Sequence, residues 1–389
     1  MARMKKIRIG IAGAGNAGMM HLKSLLGGNF PEAEVVAICD KTGRLEALKK
    51  DIPQSVKVYT EYSTMLADKV CDAIIITTPH FFHPEMAIEA FKAGCHVFCE
   101  KPAGVFTENV KEMNKAAEKS GKIFSMHFNR RLEPIFAKLK EMISSGETGP
   151  VKRISWTATN WFRSDAYFAS GAWRGTWKGE GGGLLLNQCI HDLDIWQNLF
   201  DIPAKVRSSC YFGKFHDNME VEDEVTAIFE YKNRKSGVYI ASTGESPGTN
   251  RLEIFCDNGK IIVEDRKIKF LRTEGPVDDF CRKKGAGFGE PKNSLVEVEV
   301  DGKADLSKGI LKNFIEAVAG KANLLVDGKE GLKSLELANA IILSSWLDKT
   351  VSIPVDDKLY RKELQKRIDS STLKKKVDHQ VLDLKDSFK

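Results

Sequence analysis

No stretch of the 389-residue chain approaches the roughly 18 to 20 consecutive apolar residues that a membrane-spanning helix requires, so no membrane partner is expected. The N-terminus Met1-Ala2-Arg3-Met4-Lys5-Lys6 is basic, but Arg8 and then a glycine loop break the apolar run behind it. A signal peptide is therefore not expected, and the chain reads as cytoplasmic. Eight scattered cysteines form no C-x-x-C pair and no Cys/His cluster at zinc spacing, which leaves buried reduced thiols and implies no metal. Charge of one sign is also scarce. The net charge is +6, and the segment Arg361 to Lys389, with nine Lys/Arg and five Asp/Glu, carries +4 of it. A body of 360 residues at +2 gives little support to a nucleic-acid surface. The run Lys374-Lys375-Lys376 reads as a solvated part of a terminal extension. There is no internal repeat and no long low-complexity tract.

What is present divides into two textures. From Ile7 the chain alternates continuous apolar strands with helical segments: Ile7 to Ile11, Val35 to Cys39, Ala73 to Thr78, His96 to Cys99 and Ile123 to Met126. That alternation predicts a doubly wound parallel sheet. After the turn Gly146-Glu147-Thr148-Gly149-Pro150 the strands lengthen and alternate, as in Val151 to Trp161, Val206 to Phe212 and Glu224 to Tyr231. Those runs predict a mostly antiparallel sheet, interrupted or followed by helices Leu184 to Phe200 and Gly331 to Leu347. The fold class is α/β plus α+β. Expected domains are 1–128 for dinucleotide binding, 129–355 for substrate binding and oligomerisation, and 356–389 as a charged extension.

Chemistry concentrates in a few places. Gly13-Ala14-Gly15-Asn16-Ala17-Gly18 lies between a strand and a helix, the context in which G-x-G-x-x-G cradles a pyrophosphate on helix N–H groups. Asp40 ends the next strand, where a carboxylate accepts the adenosine ribose hydroxyls and repels a 2′-phosphate. NAD is favoured; Lys41 and Arg44 keep NADP open. Thr77, Thr78, Pro79 and His80 end the third strand and are expected along the path from pyrophosphate to nicotinamide. Glu100 and Asn129 are counted with these cofactor residues. His83, just ahead of Pro84, fits a helix-cap or packing role at least as well as a catalytic one. Lys101, in Glu100-Lys101-Pro102, follows a strand and so carries an ammonium to the sheet edge where ligands bind. In the segment from Gly181 to Asp194, three glycines suggest a loop whose backbone passes close to a ligand, and a following helix puts Asn187, His191 and Asp194 on one face. Trp156, Trp161, Trp173 and Trp177 fall within 22 residues, interleaved with Arg163, Asp165, Tyr167 and Arg174. Such a set suits a sugar ring and its hydroxyl rim, or a subunit contact.

In order, the Gly13 to Gly18 string, Thr77-Thr78-Pro79 with His83, Glu100-Lys101-Pro102-Ala103-Gly104 and the glycine-rich run to His191 resemble the glucose-fructose oxidoreductase, inositol dehydrogenase and rhizopine-catabolism (Gfo/Idh/MocA) family, from about Ile7 to Pro354. The resemblance implies an N-terminal Rossmann domain and hydride transfer between nicotinamide and a secondary hydroxyl of a sugar, glycoside or cyclitol. It implies that Lys101 polarises the reacting oxygen and also touches the cofactor, that His191 is the general base, and that Trp161, Arg163, Trp173, Asn187 and His191 meet substrate with Lys101. Many family members carry Asp at position 187; an amide there cannot take a proton. An NAD-dependent glycoside-cleaving enzyme and a non-catalytic dinucleotide sensor are the alternatives. An open sheet face in the second domain predicts a homodimer or homotetramer.

Overall fold

The computed structural model describes residues 6–40, 44–48 and 50–375. Six parallel strands form the first sheet: β1 (Ile7–Ala12), β2 (Ala33–Cys39), β3 (Lys57–Tyr59), β4 (Ala73–Ile76), β5 (His96–Cys99) and β6 (Phe124–Met126). Their spatial order is β3-β2-β1-β4-β5-β6. Ile74, Ile75 and Ile76 are completely buried, as strands covered on both faces must be. The cover includes α1 (Asn16–Leu26), α2 (Arg44–Leu48), α3 (Tyr62–Ala67), α4 (His83–Lys92) and α5 (Thr107–Ser120). Strand order reverses between the paired neighbours β1 and β4, so the segments that follow Ala12 and Ile76 border the crevice where such sheets bind ligands. Three-residue β3, with Lys57 and Val58 exposed, is too short to declare itself by pattern.

Beyond α6 (Pro134–Ser144) lies a nine-stranded sheet of β7 (Val151–Ala158), β8 (Lys205–Phe212), β9 (Glu222–Glu230), β10 (Ser236–Ser242), β11 (Asn250–Cys256), β12 (Gly259–Glu264), β13 (Lys267–Thr273), β14 (Asn293–Val298) and β15 (Val351–Ser352). Its order is β14-β13-β12-β11-β7-β10-β9-β8-β15. All its ladders are antiparallel except β7 with β10, which lie parallel across a long helical crossover. That crossover contains α7 (Asp165–Ala169), α8 (Trp177–Glu180), α9 (Leu184–Asn187) and α10 (Ile190–Phe200); α11 (Val277–Cys281), α12 (Gly309–Val318), α13 (Gly331–Leu347) and α14 (Asp357–Ser370) follow. One face of the sheet packs on helices: Val225, Ala227 and Phe229 of β9 are fully buried, while Ile228 between them is exposed.

Two expectations change here. The helix foreseen from Leu184 to Phe200 is two helices with a break at Gln188–Cys189. Trp156 and Trp177 are core residues, 1% and 5% exposed, and Trp156 stacks on Trp196. Neither presents a surface to a sugar. The segment after residue 355 also docks more closely than a solvated extension would. Tyr360 of α14 is buried against Trp346 and Phe106, and Lys111 of α5 pairs with Asp357 at 2.8 Å. Lys375 donates to the carbonyl of Arg174, and Lys376 lies outside the described residues.

Candidate active site

At the crevice, Gly13 has φ +106°, a conformation that strains any other residue. A Cβ on Gly13 would come within 2.7 Å of Thr77 Oγ1, and one on Gly18 would strike the Gly13 carbonyl oxygen at 1.9 Å. Thr77 Oγ1 donates to that carbonyl at 2.8 Å, so the third strand's threonine holds the glycine turn rather than facing open space. Gly15 caps α1 without a side chain, leaving the first-turn amides unclaimed by any side chain. Asn16 and Ala17 open that helix. Asp40 Oδ2 accepts from Ala14 N at 2.8 Å, which fixes the carboxylate beside the turn. Buried Asn129 leaves its Oδ1 without a partner. A cradle with no room for Cβ atoms, an uncapped helix start, an adjacent carboxylate and an orphaned amide fit a dinucleotide. Lys41 and the side chain of Arg44, which bear on a 2′-phosphate, lie outside the described residues.

Lys101 follows β5 and crosses into the second domain. Its Nζ donates to the Asn187 backbone oxygen at 2.6 Å and approaches Asn187 Oδ1 at 3.4 Å. The helix break explains this contact. Past Asn187, His191 N turns to Gln188 O at 3.4 Å, so the Asn187 carbonyl lacks the partner a continuous helix would give it. Burial, and then the charges of Arg174 and Arg163 working against Glu100 and Glu180, lower the Lys101 ammonium to about 8. His191, four residues on, is buried with Nδ1 unpartnered. Burial first, and the Lys101 charge second, hold it well below the ordinary imidazole range, so it is neutral and can accept a proton.

Glu180 was not foreseen. Completely buried, it accepts from Asn187 Nδ2 and from Gly175 N, the latter at 2.5 Å. Burial raises its carboxyl. A carboxylate thus stands beside Asn187, contributed from seven residues upstream. The signal was the Gly179-Glu180-Gly181 string, which the triple glycine overshadowed. Those glycines do not admit a ligand; they admit protein. A Cβ on Gly181 would meet Val105 Cγ1 at 2.4 Å, and one on Gly183 the Glu222 carbonyl oxygen at 2.4 Å. Glu222 Oε1 caps α9 through Gly183 N and Leu185 N, and burial lifts its carboxyl to about 7.

His80, expected along the cofactor path, has its side chain engaged with the second domain. It is buried, with Nδ1 3.1 Å from the Glu180 carbonyl oxygen and its ring edge-on to Trp173. Pro79 precedes that turn, and Thr78 Oγ1 reaches Met86 Sδ at 3.3 Å. His83 joins the two strand ends, with Nδ1 2.7 Å from Pro102 O and Nε2 2.6 Å from Thr78 O, a packing role behind Lys101. Glu100, expected among the cofactor residues, has a side chain that is an internal counter-charge: its Oε1 accepts from His21 Nε2 at 2.9 Å and His127 Nδ1 at 2.7 Å. Those imidazoles hold its carboxyl well below the ordinary range against burial. The three ligand atoms lie within 4.8 Å, a spacing that could also hold a cation.

Two arginines bracket the base. Arg130 bonds Asp192, whose Oδ2 also accepts from Trp161 Nε1 at 2.8 Å and Tyr239 OH at 2.9 Å. Arg131 grips Asp194 through two hydrogen bonds of 2.6 and 2.7 Å. Asp194 therefore clamps the helix and has no place beside Lys101, and Trp161 is partly structural. Arg163 and Trp173 remain half-buried at the rim.

The family model for the NAD-binding Rossmann fold of the GFO/IDH/MocA oxidoreductases matches residues 7–128, and the model for that family's C-terminal domain matches residues 136–262. The chain belongs to the Gfo/Idh/MocA oxidoreductase family. It is a NAD-binding oxidoreductase. It is 30% identical over 362 residues to YrbE, an uncharacterized oxidoreductase of Bacillus subtilis (strain 168), covering 91% of this chain and 99% of that one. To an inositol 2-dehydrogenase of Rhizobium meliloti (strain 1021) it is 24% identical over 352 residues, covering 89% and 99%. The solved WlbA dehydrogenase of Bordetella pertussis, in complex with NADH and UDP-GlcNAcA, superposes with a TM-score of 0.74 over 90% of this chain and all of that one, at 24% identity, a likeness of fold. Among the described residues no helix is long and apolar enough to cross a membrane.

Proposed function

We propose that this Gfo/Idh/MocA protein oxidises a secondary hydroxyl of a sugar, glycoside or cyclitol, or reduces the corresponding ketone, with NAD. The observation that supports it most is that Lys101, from the first domain, reaches Asn187 of the second, four residues ahead of a neutral His191 with a bare Nδ1. Bound NAD supplies the hydride acceptor. Lys101 donates to the reacting oxygen and stabilises the alkoxide as it develops. His191 takes the hydroxyl proton at Nδ1. Asn187 cannot take that proton; its amide is held by Glu180, and it orients Lys101. Among the proteins named above one is an inositol 2-dehydrogenase and another is a dehydrogenase in complex with NADH and a nucleotide sugar, which supports the class and leaves the individual substrate to experiment.

An NADH absorbance screen across inositols, aldoses, glycosides and sugar acids tests the reading. Lys101→Ala and His191→Ala should each lower kcat by about 100-fold or more while NADH still binds. Wild-type rates in both variants would overturn the assignment. Release of sugar from a glycoside without accumulation of NADH would move the protein to the glycoside-cleaving reaction.

A further inference from the structure

We propose that the site selects a sugar or cyclitol carrying an anionic group, a carboxylate or a phosphate, held by Arg163 and Arg174. This rests on the sugar dehydrogenase reading and narrows it. Arg163 leaves the loop after β7, and Arg174 the turn before α8. Their guanidinium carbons lie 5.4 and 4.5 Å from the centre of the same Tyr167 ring, so the two cations cannot be further apart than those distances combined. Arg163 also lies 5.8 Å from the Trp161 ring and Arg174 4.5 Å from that of Trp173. The shared ring belongs to the site, because Gln188 Nε2, beside Asn187, donates to Tyr167 OH at 3.1 Å.

Neither arginine has a carboxylate partner among the described residues. Arg163 Nη1 donates to Phe162 O at 2.8 Å and Arg174 Nη1 to Tyr167 OH at 2.6 Å, one of five N–H groups in each case. Arg130 and Arg131 are by contrast both paired with buried aspartates. The carboxylates around the cations have other partners. Glu180 takes Asn187 Nδ2 and Gly175 N, Glu220 takes Trp177 N and Ser371 Oγ, and Asp165 lies 3.1 Å from His216. Lys375 adds a further cation on the Arg174 carbonyl. Lys101 feels both arginines as like charges. Stacking on aromatic faces steadies the two planar forks and leaves their edges free, the arrangement that grips a carboxylate or phosphate through paired hydrogen bonds. Neutral hydroxyls would satisfy the donors but add no charge to that of buried Glu180, whose carboxyl burial raises and Arg174 pulls down.

Binding to the full-length protein saturated with NADH decides this, read by calorimetry for D-glucuronate, D-glucose 6-phosphate and methyl β-D-glucopyranoside at low and high salt. At least one anionic sugar should bind about tenfold or more tightly than the neutral glycoside, with the advantage shrinking in salt. Which anion prevails separates carboxylate from phosphate. The double variant Arg163→Gln/Arg174→Gln should erase the preference and retain NADH binding. A neutral sugar that binds as tightly as both anions would overturn the proposal, as would a preference that survives in the double variant. Loss of oligomerisation in that variant with the preference intact would assign the arginines to a subunit contact. If none of the three sugars is oxidised, the dehydrogenase reading suffers while the binding comparison still stands. A double variant that does not fold leaves the wild-type comparison and its salt dependence as the deciding result.

Discussion

At the scale of single residues, the site works by setting a cation and a neutral imidazole close together and keeping both out of water. Lys101 at about 8 is protonated at neutral pH, and its usefulness as an electrophile ends where that proton leaves. The sign follows directly: kcat/KM should hold up to pH 8 and fall above it, approaching tenfold per unit, whereas in Lys101→Arg any remaining activity should lack that limb. A wild-type profile flat to pH 10 would refute the cationic role. Asn187 gives a second test. Replacing it with Asp would press a carboxylate onto buried Glu180, and the two would have to share a proton. Asn187→Asp should therefore lose activity by about tenfold or more at pH 8, and adding Glu180→Gln should restore it. Equal activity of the single and double variants would show that Glu180 does not govern that position.

At the scale of elements, the decisive feature is the interruption between α9 and α10. Apolar periodicity through Leu184, Leu185, Leu186, Ile190 and Leu193 runs across Gln188 and Cys189 without a proline or glycine to announce a stop, so the sequence reads as one helix. The break is a tertiary effect: Glu222 caps the first piece, while Arg130 and Arg131 fix the second through Asp192 and Asp194. Removing one member of such a buried pair leaves an uncompensated charge, at a cost of about 3 to 5 kcal/mol. Arg131→Met should lower the melting temperature by several degrees, and a calorimetric scan unchanged from wild type would refute the clamp. Local signals did reveal other parts. Gly13, Gly18 and Asp40 are constrained by contacts within one strand-turn-helix unit and its neighbour strand, so their spacing carried their positions. Lys101 was legible because strand ends point at the crevice. Glu180, Glu222, Arg130 and Arg131 were not, because their partners lie on segments that no spacing rule connects. The triple glycine was misread because a close backbone approach looks alike whether the neighbour is ligand or protein.

At the scale of the whole molecule, the first sheet is enclosed and the second is not. Ile228 is 48% exposed on the outer face of the nine-stranded sheet, and Leu295 and Val296 of edge strand β14 are 55% and 38% exposed. An exposed isoleucine on the outer face and an edge strand with exposed apolar side chains call for a partner surface. A homodimer or homotetramer is therefore expected at micromolar concentration by light scattering, shifting toward monomer in Ile228→Asp/Leu295→Lys. A stable wild-type monomer would contradict it. The same scale holds the second domain's long crossover, which carries Trp161, Arg163, Glu180, Asn187 and His191 between two parallel strands. It was readable as composition before it was readable as shape.

The hydrogen bond from Lys101 to the Asn187 carbonyl has a chemical consequence beyond geometry. An amine at about 8 is unprotonated in about one molecule in ten at pH 7, hundreds of times more than an ordinary lysine. Free amines condense with aldehydes, and reducing sugars present them. Parked against a backbone oxygen, this nitrogen donates an N–H to the carbonyl, and a sugar must displace that oxygen before it reaches the amine. The resting protein is shielded from glycation at this nitrogen, and peptide mass mapping after incubation with glucose and borohydride should find Lys101 unmodified.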